Sequence, residues 1–134
     1  MKKVLVFGTF DHLHPGHQDF FRQAKELGDY LIVVVATDQN VKKSKGQLPK
    51  YAQESRLQTV QKEKLVDQSL LGLENMDYLT TIKEVGADII ALGYDQKFDL
   101  DALKKELIES GQDQVAVVRL HSFQPGKYKS SLLK

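Results

Sequence analysis

The chain contains no cysteine, which removes disulfides, thiolate nucleophiles, zinc ribbons and iron–sulfur clusters from consideration together. Any chemistry must fall to His, Lys, Arg, carboxylates, hydroxyls and the backbone. Long hydrophobic runs are also missing. Met1-Lys2-Lys3 followed by Val4-Leu5-Val6-Phe7-Gly8 has the charge of a signal peptide, but its apolar run is far too short for one. A cytoplasmic location with no membrane association is therefore expected. Nor is there a surplus of one charge: 19 Lys and Arg stand against 18 Asp and Glu, a formal net charge of +1. Without a basic helix or clustered aromatics, a nucleic-acid partner is not expected. Internal repeats, low-complexity tracts and linkers are absent as well.

What is present fits one soluble domain spanning 1–134, with 41% hydrophobic and 28% charged residues. Roughly 70% of the unfolded chain's surface can be buried at this size. The neutral total conceals a pattern. Residues 41–50 carry Lys42, Lys43, Lys45 and Lys50, and residues 114–134 carry Arg119, Lys127, Lys129 and Lys134, neither segment with an acid. These 31 residues hold eight positive charges and leave a net −7 on the other 103. If the two segments meet in space they form an anion site; if not, they are solvated basic loops.

Short β-branched runs alternate with amphipathic stretches. Strands are expected at Val4–Phe7, Tyr30–Ala36, Asp67–Leu71, Asp88–Leu92 and Gln114–Leu120. Between them, helices carry Phe20, Phe21, Ala24 and Leu27; Leu57 and Val60; Leu79 and Ile82 after an Asp77 cap; and Leu100, Leu103 and Leu107. Gly28, Gly86 and Gly111 read as helix ends, and Asp38–Lys50 as a basic loop. Such alternation implies an α/β fold, a Rossmann-like doubly wound five-stranded parallel sheet with right-handed crossovers. In that architecture ligands bind beyond the carboxyl ends of the strands, where 8–17, 38–50, 93–98 and 121–131 would all lie.

The most informative segment is Gly8-Thr9-Phe10-Asp11-His12-Leu13-His14-Pro15-Gly16-His17. It runs from a strand end into a helix start, where backbone N–H groups and the helix dipole favour an anion. Pro15 suits the first helical turn, Gly16 lets a phosphate approach, and His14 and His17 lie three apart on one face. The pattern reads as a phosphate site with imidazole donors. A metal held by Asp11, His14 and His17 is the alternative for these residues. His12 reads as a surface residue and His121 as a strand-end residue.

Gly8-Thr9-Phe10-Asp11 with His14-Pro15-Gly16-His17 resembles the signature of the cytidylyltransferase-like nucleotidyltransferases, which share an H-x-G-H motif on a Rossmann-like fold. The resemblance covers nearly the whole chain. Lys42, Lys43 and Lys45-Gly46 with Glu54-Ser55-Arg56 match the family's basic loop and E-x-R element, and Leu92-Gly93-Tyr94-Asp95-Gln96 its fourth-strand motif. Within the family, Leu92–Gln96 and the spacing of Lys45, Gly46 and Pro49 look most like the archaeal-type FAD synthases. Glycerol-3-phosphate cytidylyltransferases share the first motif but usually have an acidic pair in place of Tyr94-Asp95. At the chain's end Ser130 and Ser131 match a Ser/Thr pair that opens a final helix, but Leu132-Leu133-Lys134 leaves only a single turn after them.

The resemblance implies transfer of AMP from ATP to FMN, with CTP and a polyol phosphate as the alternative pair. His14, His17, Lys45 and Arg56 are the implied catalytic set. Gly8, Thr9, Phe10, Gly16, Gly93, Tyr94, Asp95, Ser130 and Ser131 would join the histidines in holding the nucleotide. Asp11, Lys42, Lys43 and Lys45 would face the acceptor phosphate. Mg²⁺ would come bound to the triphosphate rather than to a protein cage, and a homodimer is expected. A rival from another class is a catalytically idle nucleotide-binding module, which would not need both imidazoles.

Overall fold

Val4, Leu5 and Val6 are fully buried, as are Leu31, Val33 and Val35, and strands so apolar on both faces belong at the middle of a parallel sheet. In the computed structural model, which describes residues 1–73, 77–94, 96 and 99–121, they form β1 (Lys3–Gly8) and β2 (Tyr30–Val35), paired from Lys3–Tyr30 to Gly8–Val35. β3 (Gln68–Leu71) lies beyond β2, while β4 (Ile89–Leu92) and β5 (Ala116–Arg119) lie on the other side of β1. All pairs are parallel, in the order β3-β2-β1-β4-β5. The expected α/β architecture is therefore present, with its switch point between β1 and β4.

The helices are α1 (Pro15–Glu26), α2 (Asp38–Lys45), α3 (Gln53–Gln61), α4 (Tyr78–Val85) and α5 (Leu100–Glu109). One sheet face packs Val4, Val6, Val33 and Val35 against Phe21 and Ala24 of α1 and Val60 of α3. The other packs Leu5, Ile32, Val34 and Ile90 against Ile82 of α4 and Leu103 and Leu107 of α5. Each such aliphatic side chain contributes about 1.5–3 kcal/mol by leaving water. Two clusters on opposite faces thus fix the strand ends that build the site. None of the described helices is long and apolar enough to cross a membrane.

Three details depart from the sequence expectations. Lys42, Lys43 and Lys45 do not lie in a loop but on α2, which Thr37 caps by accepting from the Asn40 amide at 3.2 Å and which ends at Gly46 with φ 82°. Gly28 is not a left-handed helix end, because α1 closes on Leu27 with right-handed backbone. Glycine is needed there for space: a Cβ would lie 2.7 Å from the Lys2 carbonyl oxygen and 2.9 Å from Val4 Cγ2. Gly86, at φ 69°, does close α4, and Asp77 caps that helix by accepting from the Thr80 amide. The expected strand boundaries shrink by one or two residues at Asp67, Asp88 and Gln114.

Candidate active site

The carboxyl ends of the strands open into a cleft of about 1050 Å³, above the usual range of about 300–1000 Å³ for one small ligand. Its centre is the turn from β1 into α1. His14 is the N-cap of α1, with extended backbone at φ −145° and ψ 174°. Its Nδ1 accepts the Gly16 amide at 3.0 Å, while Nδ1 of His17 accepts the His14 amide at 3.3 Å. This is a capping box built from two imidazoles, and it decides their chemistry. With Nδ1 of each ring used as an acceptor, a neutral ring carries its proton at Nε2. The rings lie 4.1 Å apart between centroids, and both residues line the cleft.

The same cap alters what the helix start offers. The Gly16 amide is taken by His14 Nδ1 and the His17 amide by the His14 carbonyl at 2.9 Å, and Pro15 has no N–H. The first-turn amides expected to receive an anion are thus engaged within the turn. The anion-favouring elements are the helix dipole and the two Nε2–H groups. Gly16 contributes the lack of a side chain rather than its amide.

Thr9, Phe10 and Asp11 divide the remaining work of the turn. Phe10 has φ 53°, in the left-handed region, and its ring is buried 5.6 Å from His17 and 5.4 Å from Phe21. Gly8 permits this, since a Cβ there would lie 2.5 Å from Phe10 Cζ. Phe10 and Gly8, expected to hold a nucleotide, pack behind His17, and both line the cleft. Asp11 was expected to face a phosphate. Its carboxylate instead accepts the Lys50 and Tyr51 amides at 2.7 and 2.8 Å. Desolvation pushes its pKa up, but those two amides, with the charges of Arg56 and Lys45, hold it below the ordinary carboxylate value. The carboxylate anchors residues 50–51, and Asp11 also lines the cleft.

Arg56, expected in the catalytic set, is a buried residue. Only 1% of it is exposed, and it is not among the residues lining the cleft. Its guanidinium donates to the carbonyls of Thr9, Ala36 and Tyr51 at 2.8, 2.8 and 2.9 Å and to Asp38 Oδ1 at 2.7 Å. It braces the three segments around the site. Of the α2 cations, Lys45 lines the cleft while Lys42 and Lys43 are exposed outside its lining. Arg119, from the second basic segment, donates to the Gly93 and Gln96 carbonyls at 2.9 and 2.7 Å. Lys127, Lys129, Lys134, Asp95, Ser130 and Ser131 lie outside the described residues. Of the eight cations in the two basic segments, Lys45 is the one described residue that lines the cleft.

Gln96 was missed. Its Oε1 accepts the Gly93 amide at 2.7 Å and its Nε2 donates to the Phe7 carbonyl at 2.8 Å, so one side chain spans the switch point from β4 to β1. Together with Arg119 of β5, which donates to the Gly93 carbonyl, it engages both backbone groups of Gly93, a residue expected to join in holding the nucleotide. Tyr94 is left 59% exposed at the cleft. The signal for Gln96 was its place at the end of the fourth-strand motif. Gln96→Leu is expected to raise the nucleotide KM by roughly ten-fold, about the loss of one or two buried hydrogen bonds, with a smaller change in kcat. Steady-state kinetics with each substrate varied would show this.

A parallel sheet with this strand order, and imidazoles set at the first helix start, is the architecture of a nucleotidyltransferase domain. The chain belongs to the cytidylyltransferase-like family, whose model matches residues 5–134. Among curated proteins it is 46% identical over 123 residues to an FAD synthase from Ferroglobus placidus, covering 91% of this chain and 78% of that one. It is 41% identical over 134 residues to an FAD synthase from Thermoplasma acidophilum, covering 100% of this chain and 92% of the other. Among solved structures, a lipopolysaccharide core biosynthesis protein from Thermoplasma volcanium GSS1 superposes with a TM-score of 0.87 at 40% identity, covering 92% of this chain and 99% of that one. A pantoate-beta-alanine ligase from Francisella tularensis, at 18% identity and a TM-score of 0.59 over 92% of this chain and 60% of that one, shares the fold.

Proposed function

We propose that the chain is an FMN adenylyltransferase, forming FAD and pyrophosphate from ATP and FMN. The observation that carries the reading is the imidazole capping box, which fixes two Nε2–H donors side by side at the start of α1. It is supported by the FAD synthase names of relatives that match nearly the full chain. An oxygen of the FMN phosphate attacks the α-phosphorus of ATP, the bond from that phosphorus to the bridging oxygen breaks, and pyrophosphate leaves. The nucleophile is already anionic near neutral pH, so the site needs positioning and charge neutralisation more than a strong base. His14 and His17 donate from Nε2 to the α-phosphate and its bridging oxygen, Thr9 lies beside them, and Lys45 holds the acceptor phosphate. Tyr94, exposed at the cleft, takes the nucleoside together with Asp95.

Mg²⁺ fits this site as a passenger of the triphosphate. Among the described residues no group of three or more His, Asp or Glu forms a metal cage. The carboxylates beside the histidines are engaged, Asp11 by two amides and Asp19 by Arg22 and Gln23. An ion preferring six oxygens can take them from phosphates and water, and when bound it offsets charge on the leaving pyrophosphate. The direct test incubates the protein with Mg²⁺, either ATP or CTP, and either FMN or glycerol 3-phosphate, and resolves products by chromatography. FAD from ATP and FMN is expected. A CDP-linked product would transfer the chain to the cytidylyl branch, and no pyrophosphate from any pair would leave a nucleotide-binding module.

A further inference from the structure

One part of the cleft lining, termed the lobe, comes from the ends of β2 and β3, from α2 and from the start of α4, and the transfer chemistry does not use it. It is lined by Val34, Asn40, Leu73, Asp77, Tyr78 and Thr81. Leu73 is 41% exposed here, beside the buried Val34, so the lobe offers apolar surface to a ligand. Tyr78 packs against the core of that sheet face and its hydroxyl donates to Glu106 Oε2 of α5 at 2.8 Å, which fixes the side chain where it lines the cleft. Asp77 places an ionised carboxylate at the edge, kept so by the Thr80 hydroxyl and amide. A phosphate is disfavoured beside it; a neutral ring is not.

Asn40 supplies the polar contact. It is 5% exposed, and its Nδ2 donates to the Leu73 carbonyl at 2.8 Å. Its Oδ1 is buried with no partner among the described residues. Rotating the amide would set Oδ1 against the Leu73 carbonyl, so the orientation is determined. A buried acceptor without a donor is costly and uncommon in native proteins. In a ligand cleft, the substrate can bring that donor.

We propose that this lobe takes the planar ring of the acceptor, stacked on Tyr78, and that Asn40 Oδ1 accepts the flavin N3–H, the one N–H of the oxidised ring. The inference rests on the proposed FMN adenylyltransferase activity and names how its acceptor is chosen. A polyol phosphate has no ring to fill the lobe, which gives the site a reason to prefer a flavin.

FMN methylated at N3 tests this on the unaltered protein. Its KM should exceed that of FMN by about ten-fold, the effect of one buried hydrogen bond, with the KM for ATP unchanged. In Asn40→Ala the two acceptors should become equivalent. Flavin fluorescence should be quenched when FMN is titrated with the wild-type protein or with Tyr78→Phe, and the quenching should be lost with Tyr78→Leu. The proposal is overturned if N3-methyl FMN serves the wild-type protein as well as FMN does, if its penalty persists in Asn40→Ala, or if Tyr78→Leu still quenches. Absence of FAD formation by the wild-type protein would instead remove the proposed reaction, while the titration without ATP would still decide the lobe.

Discussion

His17→Asn is expected to lower kcat by about 10²–10³-fold, the usual effect of removing one preorganised donor to a developing charge, with little loss of stability. The substitution separates the two nitrogens. An asparagine Oδ1 can stand where Nδ1 now accepts the His14 amide, so the cap survives, but nothing replaces the Nε2–H. His14→Asn follows the same logic, since Asn is a good N-cap and can accept from the Gly16 amide as His14 Nδ1 does. His17→Gln, which can reach the Nε2 position, should recover part of the rate. Turnover by His17→Asn within a few-fold of the parent would show that the ring serves only the cap.

Arg56→Ala should act on the fold. Removing the guanidinium leaves the carbonyls of Thr9, Ala36 and Tyr51 and the carboxylate of Asp38 without their donor, at a site where the arginine is 1% exposed. Breaking a buried charged network in this way costs about 3–5 kcal/mol, against a total of about 5–15 kcal/mol for a typical domain. Urea denaturation should show the loss as a lowered midpoint. Arg56→Lys should recover little, because one ammonium cannot reach four acceptors set around a planar fork. A stable Arg56→Ala protein with a large kcat defect would return this residue to the chemistry.

The contrast between His17 and Arg56 shows where sequence reasoning reaches. The strands were legible because Val4–Phe7 and Tyr30–Val35 are apolar without interruption, as only a strand covered on both faces permits. The histidine pair was legible because its spacing, with Pro15 at the first helical position, is local: the cap is made by residues within three of one another. Arg56 is 47 residues from Thr9 and 20 from Ala36, and no local pattern tells a buried brace from a surface cation. Gln96 reaches the Phe7 carbonyl across 89 positions, and that contact exists only because β4 lies beside β1. α2 was hidden by its lysines, since a helix with Val41 and Asn40 as its buried residues carries too little apolar periodicity to be seen. The charge count also misled in part: Arg119 belongs to a basic segment, but its guanidinium supports the β4 end loop.

The proposed reaction joins the phosphate of FMN to the α-phosphorus of ATP in the cleft. It is tested most directly by supplying FMN with ¹⁸O in its three terminal phosphate oxygens, together with unlabelled ATP and Mg²⁺, and weighing both products by mass spectrometry. All the label should be found in FAD, one atom of it in the new bridge, with pyrophosphate unlabelled. Unlabelled FAD, labelled pyrophosphate, or no FAD at all would contradict the account.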